Sequence, residues 1–198
     1  MGLLVAVWVL DLVTFGRFGS SLLMANDAIY VGQFWRLATG ALTSGGLFGV
    51  LMNLLVLWIA GRALESELGS WRFVVLYVTA GLGGSTLFFC FGPDGGQILG
   101  AYSAIIGLLA ANAVGKRKNR EDIRGDIGLL VLLVLYNVLV NFQGLGWLSM
   151  LGGIAVGALV GAILAYAPRH NRGTIQVVGL LGVVLVCLLG VVVKLTLG

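Results

Sequence analysis

The first candidate for chemistry in this sequence is a serine, Ser103, which lies between small residues in the apolar stretch GAYSAIIG (100–107). A serine hydroxyl becomes a nucleophile when a general base lies within hydrogen-bond reach, about 2.6–3.2 Å. The chain has one histidine, His170, which follows a later apolar segment. Whether Ser103 can act as a nucleophile therefore depends on whether the fold brings His170 close to it.

Other kinds of site are poorly supported by the sequence. Cys90 and Cys187 each lie inside an apolar run, where a free cysteine behaves as a small buried hydrophobe. Neither cysteine forms a metal-ligand spacing with His170. We therefore expect no metal and no cofactor.

The composition is typical of a membrane protein. Of the 198 residues, 59% are hydrophobic and 10% are charged, whereas a soluble domain has about 25% charged residues. The mean hydropathy is +1.05, and the 32 glycines fit closely packed transmembrane helices. The prediction is an all-α polytopic membrane protein.

Seven apolar segments are candidate membrane spans, since a spanning helix needs about 20 mostly apolar residues. They cover residues 3–15, 41–60, 71–91, 100–115, 127–142, 147–167 and 175–197. The first is short and is interrupted by Asp11, whose charge is costly inside a membrane. We therefore expect Asp11 to lie close to the outer interface.

The basic residues predict the orientation of these segments. Nine of the twelve lie in the second, fourth and sixth connections, and five of them lie between 116 and 124. The positive-inside rule therefore places the N-terminus in the cytoplasm and the C-terminus outside. The same clustering accounts for the net charge of +4 without a nucleic-acid partner, and the fourth connection is expected to be solvated or to touch anionic lipid.

Two connections are unusual. The first, residues 16–40, is partly apolar, and it is expected either to lie in the outer interface, with Tyr30 and Trp35 as interfacial aromatics, or to pack on the bundle as an ordinary loop. The fourth segment, at about 16 residues, is too short to span fully, so the connection 92–99 should dip inward to meet it. Residues 100–103 would then lie at the base of a wet cavity.

Small residues recur every four positions on two segments. They are Gly153, Gly157 and Gly161 on the sixth segment, and Ser103, Gly107 and Ala111 on the fourth. Residues four apart share one helix face, and small residues allow two helices to approach closely. We therefore predict that these two helices are in contact.

Four stretches, in this order, resemble the rhomboid family of intramembrane serine proteases over roughly residues 30–167. They are GQFWRLATGAL (32–42), with the family's Trp-Arg pair at Trp35 and Arg36; NLLVLWIAGRALESELGSWRFVVLY (53–77), with its Gly-x-x-x-Glu at Gly61 and Glu65; GAYSAIIGLLAA (100–111); and LGGIAVGALVG (151–161). The resemblance implies a rhomboid-like six-helix bundle over residues 1–167, followed by a linker and one extra transmembrane helix over residues 168–198.

The family's chemistry is a serine–histidine dyad, and this chain departs from it at both positions. An ungapped alignment through Gly100 and Gly107 places Tyr102 at the nucleophile position and Met150 at the histidine position. The positions where the family has two histidines and an asparagine beside the oxyanion are Ser44, Gly49 and Asn53. Only the asparagine matches, so the resemblance implies a member without the dyad.

An alternative register makes Ser103 the nucleophile. It leaves the serine one residue, about 100° of helix rotation, away from the face that the family uses. No base is expected near it, because His170 and the lysines of the fourth connection are cytoplasmic, and nothing places Lys194, in the seventh segment, beside Ser103.

Structural roles are expected for the residues that the resemblance marks. Ser103 is interpreted as a small packing residue, and Met150 as apolar filling. Tyr102 is interpreted as a plug of the former cavity, with its hydroxyl bonded to a neighbour such as Asn53. The anchors of loop and helix ends are Trp35, Arg36 and Glu65.

The predicted function is that of a rhomboid-like pseudoprotease in a bacterial plasma membrane. It binds membrane lipids and transmembrane segments of client proteins without cleaving them. The alternative is an active intramembrane serine endopeptidase that uses Ser103 as a displaced nucleophile. A transporter would favour several intramembrane charges or broken helices in symmetric halves, which the sequence does not contain.

Overall fold

The computed structural model describes residues 2–140, 145–167 and 172–197, and this part of the chain is almost entirely helical. The helices are α1 Gly2–Val13, α2 Arg17–Leu22, α3 Asn26–Tyr30, α4 Arg36–Thr39, α5 Gly46–Val56, α6 Arg62–Leu68, α7 Ser70–Phe91, α8 Ala101–Asn119, α9 Arg124–Val140, α10 Gly146–Tyr166 and α11 Arg172–Leu197. A 3-10 turn, Gly40–Leu42, precedes α5, and a π turn, Leu57–Gly61, joins α5 to α6. The two short strands are β1 Met24–Ala25 and β2 Gln97–Ile98.

The seven predicted segments all correspond to helices. Three of these helices are apolar and long enough to cross a membrane, by length and composition: Ser70–Phe91, Gly146–Tyr166 and Gly173–Thr196. Helix α1, over Leu4–Val13, is apolar but shorter. Residues 141–142, at the end of the fifth predicted segment, lie outside the described residues.

The second segment differs from its predicted bounds at both ends. Its helix begins at Gly46 and not at residue 41, because Thr43 is extended and its hydroxyl donates to the Gly40 carbonyl oxygen at 2.7 Å. The helix then continues through charged residues to Leu68. It ends where Gly69 adopts a φ of 85°, a conformation that glycine permits.

Helix α8 is longer than the sequence predicts. It was expected to end near residue 115, but it extends to Asn119, and its last turn contains Lys116, Arg117 and Lys118. Lysine and arginine are good helix formers, and their charges interact favourably with the C-terminal end of the helix dipole. Arg120 ends the helix with a φ of 60°.

The centre of the bundle is α8, whose residues 103–112 are all buried, between α7 and α10. The small-residue faces of α8 and α10 meet in register. A β-carbon added at Gly153, Gly157 or Gly161 would lie closer than 3.0 Å to an atom of Ser103, Gly107 or Ala111, respectively. The two helices are therefore in backbone contact, as their spacing predicts.

The first connection packs on the bundle and also presents an apolar edge. Strand β1 pairs antiparallel with β2, with Met24 opposite Ile98, and both residues are buried. On the outer side, Val31 and Trp35 are 79% and 57% exposed. The segment therefore packs on the bundle through its strand, and its position in the outer interface stays a prediction.

Helix α11 packs against α7 and α10. The buried Gln176 amide donates to the Leu164 carbonyl oxygen at 3.2 Å, which joins α11 to the end of α10. Near the other end, Cys90 Sγ lies 3.5 Å from the Gly190 carbonyl oxygen. The added helix is therefore held to the bundle by polar contacts at two levels.

Helices α8 and α9 are joined by a polar cluster, which yields a testable prediction. Asn112 Nδ2 donates to Asp126 Oδ1 at 2.9 Å, and Lys116 Nζ lies 2.7 Å from Asp126 Oδ2. Asp126→Ala leaves the buried Asn112 amide without this acceptor, so we expect the free energy of unfolding to fall by about 1–3 kcal/mol. Thermal unfolding in micelles checks this, with the exposed Glu121→Ala as control; equal midpoints for the two variants would contradict the prediction.

Candidate functional site

Ser103 lies in the first turn of α8, deep within the bundle. It is 1% exposed, and its hydroxyl donates to the Gly100 carbonyl oxygen at 2.8 Å. Gly84 of α7 and Gly153 of α10 pack directly against it, with no space for a β-carbon at either glycine. The serine hydroxyl is thus bonded to the backbone and enclosed by two helices.

Tyr102, one residue earlier, points to a different neighbour, the start of α5. A β-carbon added at Gly49 would lie 2.8 Å from the Tyr102 hydroxyl oxygen. The tyrosine therefore occupies the space into which a side chain at position 49 would extend. Nearby, Asn53 Nδ2 donates to Ser44 Oγ at 2.8 Å, so these two residues, which the resemblance marks, are bonded to each other.

Met150 is 3% exposed in the second turn of α10. Its neighbour Ser149 is also buried, and the Ser149 hydroxyl makes no hydrogen bond within the described part of the chain. This region of α10 meets α7, because a β-carbon at Gly84 would lie 2.6 Å from the Ser149 carbonyl oxygen. A methionine here fills apolar space, and its thioether sulfur, which is only a weak hydrogen-bond acceptor, cannot serve as a general base.

The lysines of α8 have partners other than Ser103. Lys116 is thirteen residues further along the same helix, about 20 Å at 1.5 Å per residue, and it pairs with Asp126. Lys118 donates to the Ala165 carbonyl oxygen. Lys194 is near the end of α11, and His170 lies outside the described residues.

A cavity of about 220 Å³ lies beside the start of α5. Among the residues that line it are Trp8, Asp11, Ser44, Thr43 and Leu99. Residues 100–103, which were expected at the base of a wet cavity, are not among its lining residues, although the adjacent Leu99 is; Ala101 and Ser103 are buried. The reason is a close contact, because a β-carbon at Gly100 would lie only 2.6 Å from the Gly40 carbonyl carbon.

Asp11 has a structural partner on this side of the molecule. Its carboxylate lines the 220 Å³ cavity, and Oδ1 accepts a hydrogen bond from the Gly19 N–H at 2.7 Å. A charged acceptor makes this bond stronger than one between neutral groups. Asp11 therefore joins α1 to the short helix α2.

Two of the three expected anchors join separate elements. The Arg36 guanidinium donates to the carbonyl oxygens of Ser20 and Leu23, at 2.8 and 2.9 Å, and to the Gln33 side chain. Glu65 Oε1 accepts a bond from the Ser70 hydroxyl at 2.8 Å, which links α6 to α7. Trp35 is 57% exposed, so its ring faces outward.

Sequence reasoning missed the part that α7 plays in the site. Gly83 and Gly84 lie against Val156 and Ser103, and both glycines leave no space for a β-carbon. The run GLGGS at 81–85 is a usable signal, because such small residues allow close approach of helices. Among the residues described, no cluster of three or more histidine, cysteine, aspartate or glutamate side chains could hold a metal ion.

Comparison with known proteins identifies the family. The model of the Rhomboid domain matches residues 31–167. The chain is 32% identical to the "Rhomboid protease GluP" of Bacillus subtilis over 143 residues, which is 72% of this chain and 27% of that protein. It is 30% identical over 145 residues to "RHOMBOID-like protein 5" of Arabidopsis thaliana, 71% of this chain and 47% of that protein.

A third relative, "RHOMBOID-like protein 4" of the same plant, is 34% identical over 143 residues, which is 69% of this chain and 36% of that protein. The matched region thus spans between about a quarter and a half of the length of these relatives. The family model covers more than half of the chain and ends before α11. The chain is an all-α integral membrane protein, and it belongs to the rhomboid family.

Proposed function

We propose that this protein is a rhomboid pseudoprotease that binds transmembrane helices of client proteins without cleaving them. The proposal rests on the contrast between Ser103 and Tyr102. Ser103, the serine next to the expected position in the chain, is buried and bonded to a backbone oxygen. The residue at the expected position is a tyrosine whose hydroxyl fills the space beside Gly49.

The hydrogen bond of Ser103 supports the same proposal. A serine hydroxyl attacks a carbonyl only when a neighbouring group accepts its proton. The Ser103 hydroxyl instead donates a hydrogen bond to the Gly100 carbonyl oxygen, and Met150 stands at the position that the resemblance gives to the family's histidine. A client peptide bond would also have to displace tightly packed helices to reach Ser103.

An exposed row of leucines on α5 supports the binding part of the proposal. Leu47, Leu51 and Leu55 recur every four residues, and each is more than half exposed, at 57%, 55% and 51%. Such spacing puts the three side chains on one helix face, where another helix can pack into the grooves between them. A client's transmembrane segment is the proposed occupant of this leucine face.

The binding proposal predicts site-specific cross-linking. With a photoreactive amino acid at Leu51, we expect the protein to cross-link to a transmembrane client peptide in liposomes. The matched control places the same amino acid at Val186 of α11, which is 69% exposed and belongs to another helix. Equal cross-linking from both positions would mean random collision in the membrane and would contradict the proposal.

The catalytic part of the proposal predicts that Ser103→Ala changes nothing in an activity assay. We expect neither the original protein nor the variant to cleave a transmembrane substrate in liposomes or to react with a fluorophosphonate probe, whereas an active rhomboid does both. Cleavage that the alanine variant abolishes would instead establish a protease with a displaced nucleophile, the activity that the name of the Bacillus relative carries.

We further propose that the protein resides in a bacterial plasma membrane with its N-terminus in the cytoplasm. The orientation is supported by the charge distribution, since nine of the twelve basic residues lie in the second, fourth and sixth connections.

A further inference from the structure

A groove separate from the Tyr102 site opens where α1, α7 and the joint between α5 and α6 meet. Its volume is about 520 Å³, within the range of about 300–1,000 Å³ that is typical of small-molecule sites. Its apolar walls include Leu4, Phe73 and Tyr77. Trp58, Arg62 and Glu65 also line it, and all three are exposed, so they form its mouth.

The π turn at Leu57–Gly61 borders this groove on one side. A π turn contains an extra residue within a helix and is frequent at functional sites. Gly61 helps to keep the space open, because a β-carbon there would lie 3.3 Å from the Phe73 ring. The Tyr77 hydroxyl donates to the Ala41 carbonyl oxygen at 2.7 Å, so the polar end of this side chain is satisfied by the protein.

The mouth of the groove carries one charge of each sign. Arg62 and Glu65 are three residues apart, hence neighbours on one helix face, yet no ion pair joins them in the described part of the chain. The Arg62 guanidinium lies 5.8 Å from the centre of the Trp58 ring. Glu65 uses Oε1 for its bond with Ser70. Both charges remain accessible to a ligand with complementary groups.

The mouth lies on the side of the bundle where basic and aromatic side chains pair. Arg72 lies over the Trp71 ring at 5.4 Å, and Lys118 over the Tyr166 ring at 5.7 Å. Aromatic and long basic side chains concentrate at the level of lipid headgroups. The groove therefore extends from this level toward the apolar interior of the bundle.

We propose that the groove binds one glycerophospholipid whose headgroup contains a phosphate and a primary ammonium, as in phosphatidylethanolamine. An acyl chain lies along Leu4, Phe73 and Tyr77. The phosphate pairs with Arg62, and the ammonium with Glu65. A lipid with a purely anionic headgroup would satisfy Arg62 but would place its charge beside the Glu65 carboxylate.

Native mass spectrometry of the detergent-purified full chain tests this proposal. The protein is titrated with phosphatidylethanolamine, phosphatidylglycerol or phosphatidylcholine of the same acyl chains. We expect one tight phosphatidylethanolamine adduct. Arg62→Gln should weaken it roughly tenfold, since a charged hydrogen bond is lost. Glu65→Gln removes the negative charge and should therefore remove the preference over phosphatidylglycerol. Because glutamine keeps an acceptor for Ser70, the fold should be unaffected.

A second pair of variants tests the position of the lipid. Val74 lines the groove and is 56% exposed, so Val74→Trp fills the groove from its surface and should abolish the tight adduct. Val131→Trp, on an exposed position of α9 that does not line the groove, should retain it. Equal adducts for the two tryptophan variants, a preference for phosphatidylglycerol, or equal binding of all three lipids would each overturn the proposal.

Discussion

Replacing Gly157 with leucine is expected to destabilise the protein by about 3 kcal/mol or more, the largest effect on stability that we predict. A β-carbon at this position would lie closer than 3.0 Å to three backbone atoms of Gly107. Backbone atoms cannot rotate away as a flexible side chain can, so α8 and α10 would have to separate. Separation would also disturb the neighbouring contacts of Gly153 and Gly161.

The matched control for this variant is Gly182→Leu. Gly182 lies in α11, and a β-carbon there would meet nothing within 4 Å. The two substitutions change side-chain volume and helix propensity equally, so the difference between their thermal unfolding midpoints in micelles measures the helix contact alone. If the midpoints coincide, the close contact between α8 and α10 is not what stabilises the bundle.

Restoring the dyad by combining Tyr102→Ser, Ser103→Gly and Met150→His is expected to make the protein react with a fluorophosphonate probe. Removal of the tyrosine frees the space beside Gly49, and the new histidine takes the buried position of Met150. We expect the reaction to be at least roughly a hundredfold slower than that of an active rhomboid. Ser44 and Gly49 still lack the family's histidines, and loss of one oxyanion donor costs about 10²–10³ in rate.

The control for the restored protein is the double variant Tyr102→Ser with Ser103→Gly, which has the hydroxyl but no histidine. Labelling that appears only when Met150→His is added shows a working dyad. A triple variant that unfolds at the midpoint of the original protein but does not react would mean that position 102 is not the nucleophile position. Labelling of the original protein at Ser103 would exclude our register at the start of α8.

Local sequence patterns were sufficient to place the helices. Long apolar stretches cannot form another structure within a membrane, where each backbone polar group must be bonded inside its own segment or barrel. The four-residue spacing of glycines on α10 predicted which face meets α8, because helical periodicity determines which residues lie together. The ordered rhomboid-like stretches are also the basis for the prediction that Tyr102 and Met150 stand at the positions of the family's dyad.

Helix ends were harder to predict, because they depend on single residues and not on a pattern. Helix α5 begins at Gly46 and not at residue 41, because the Thr43 hydroxyl bonds to the Gly40 carbonyl oxygen and Gly46 has a positive φ. Lysines and arginines, which end an apolar segment, do not end a helix, so α8 continues to Asn119. Hydropathy reports how readily a segment enters the lipid, whereas the end of a helix is the point at which its backbone hydrogen bonds stop.

Only the tertiary structure could decide what surrounds each candidate residue. The burial of Ser103 depends on Gly84 of α7, nineteen residues distant in the chain, and the space beside Gly49 is filled by a tyrosine from α8. The groove at Arg62 and Glu65 likewise needs a wall from α1. Spacing along one helix assigns a residue to a face, but the neighbour of that face is set by how the helices pack, and this packing determines whether a hydroxyl is exposed, bonded or enclosed.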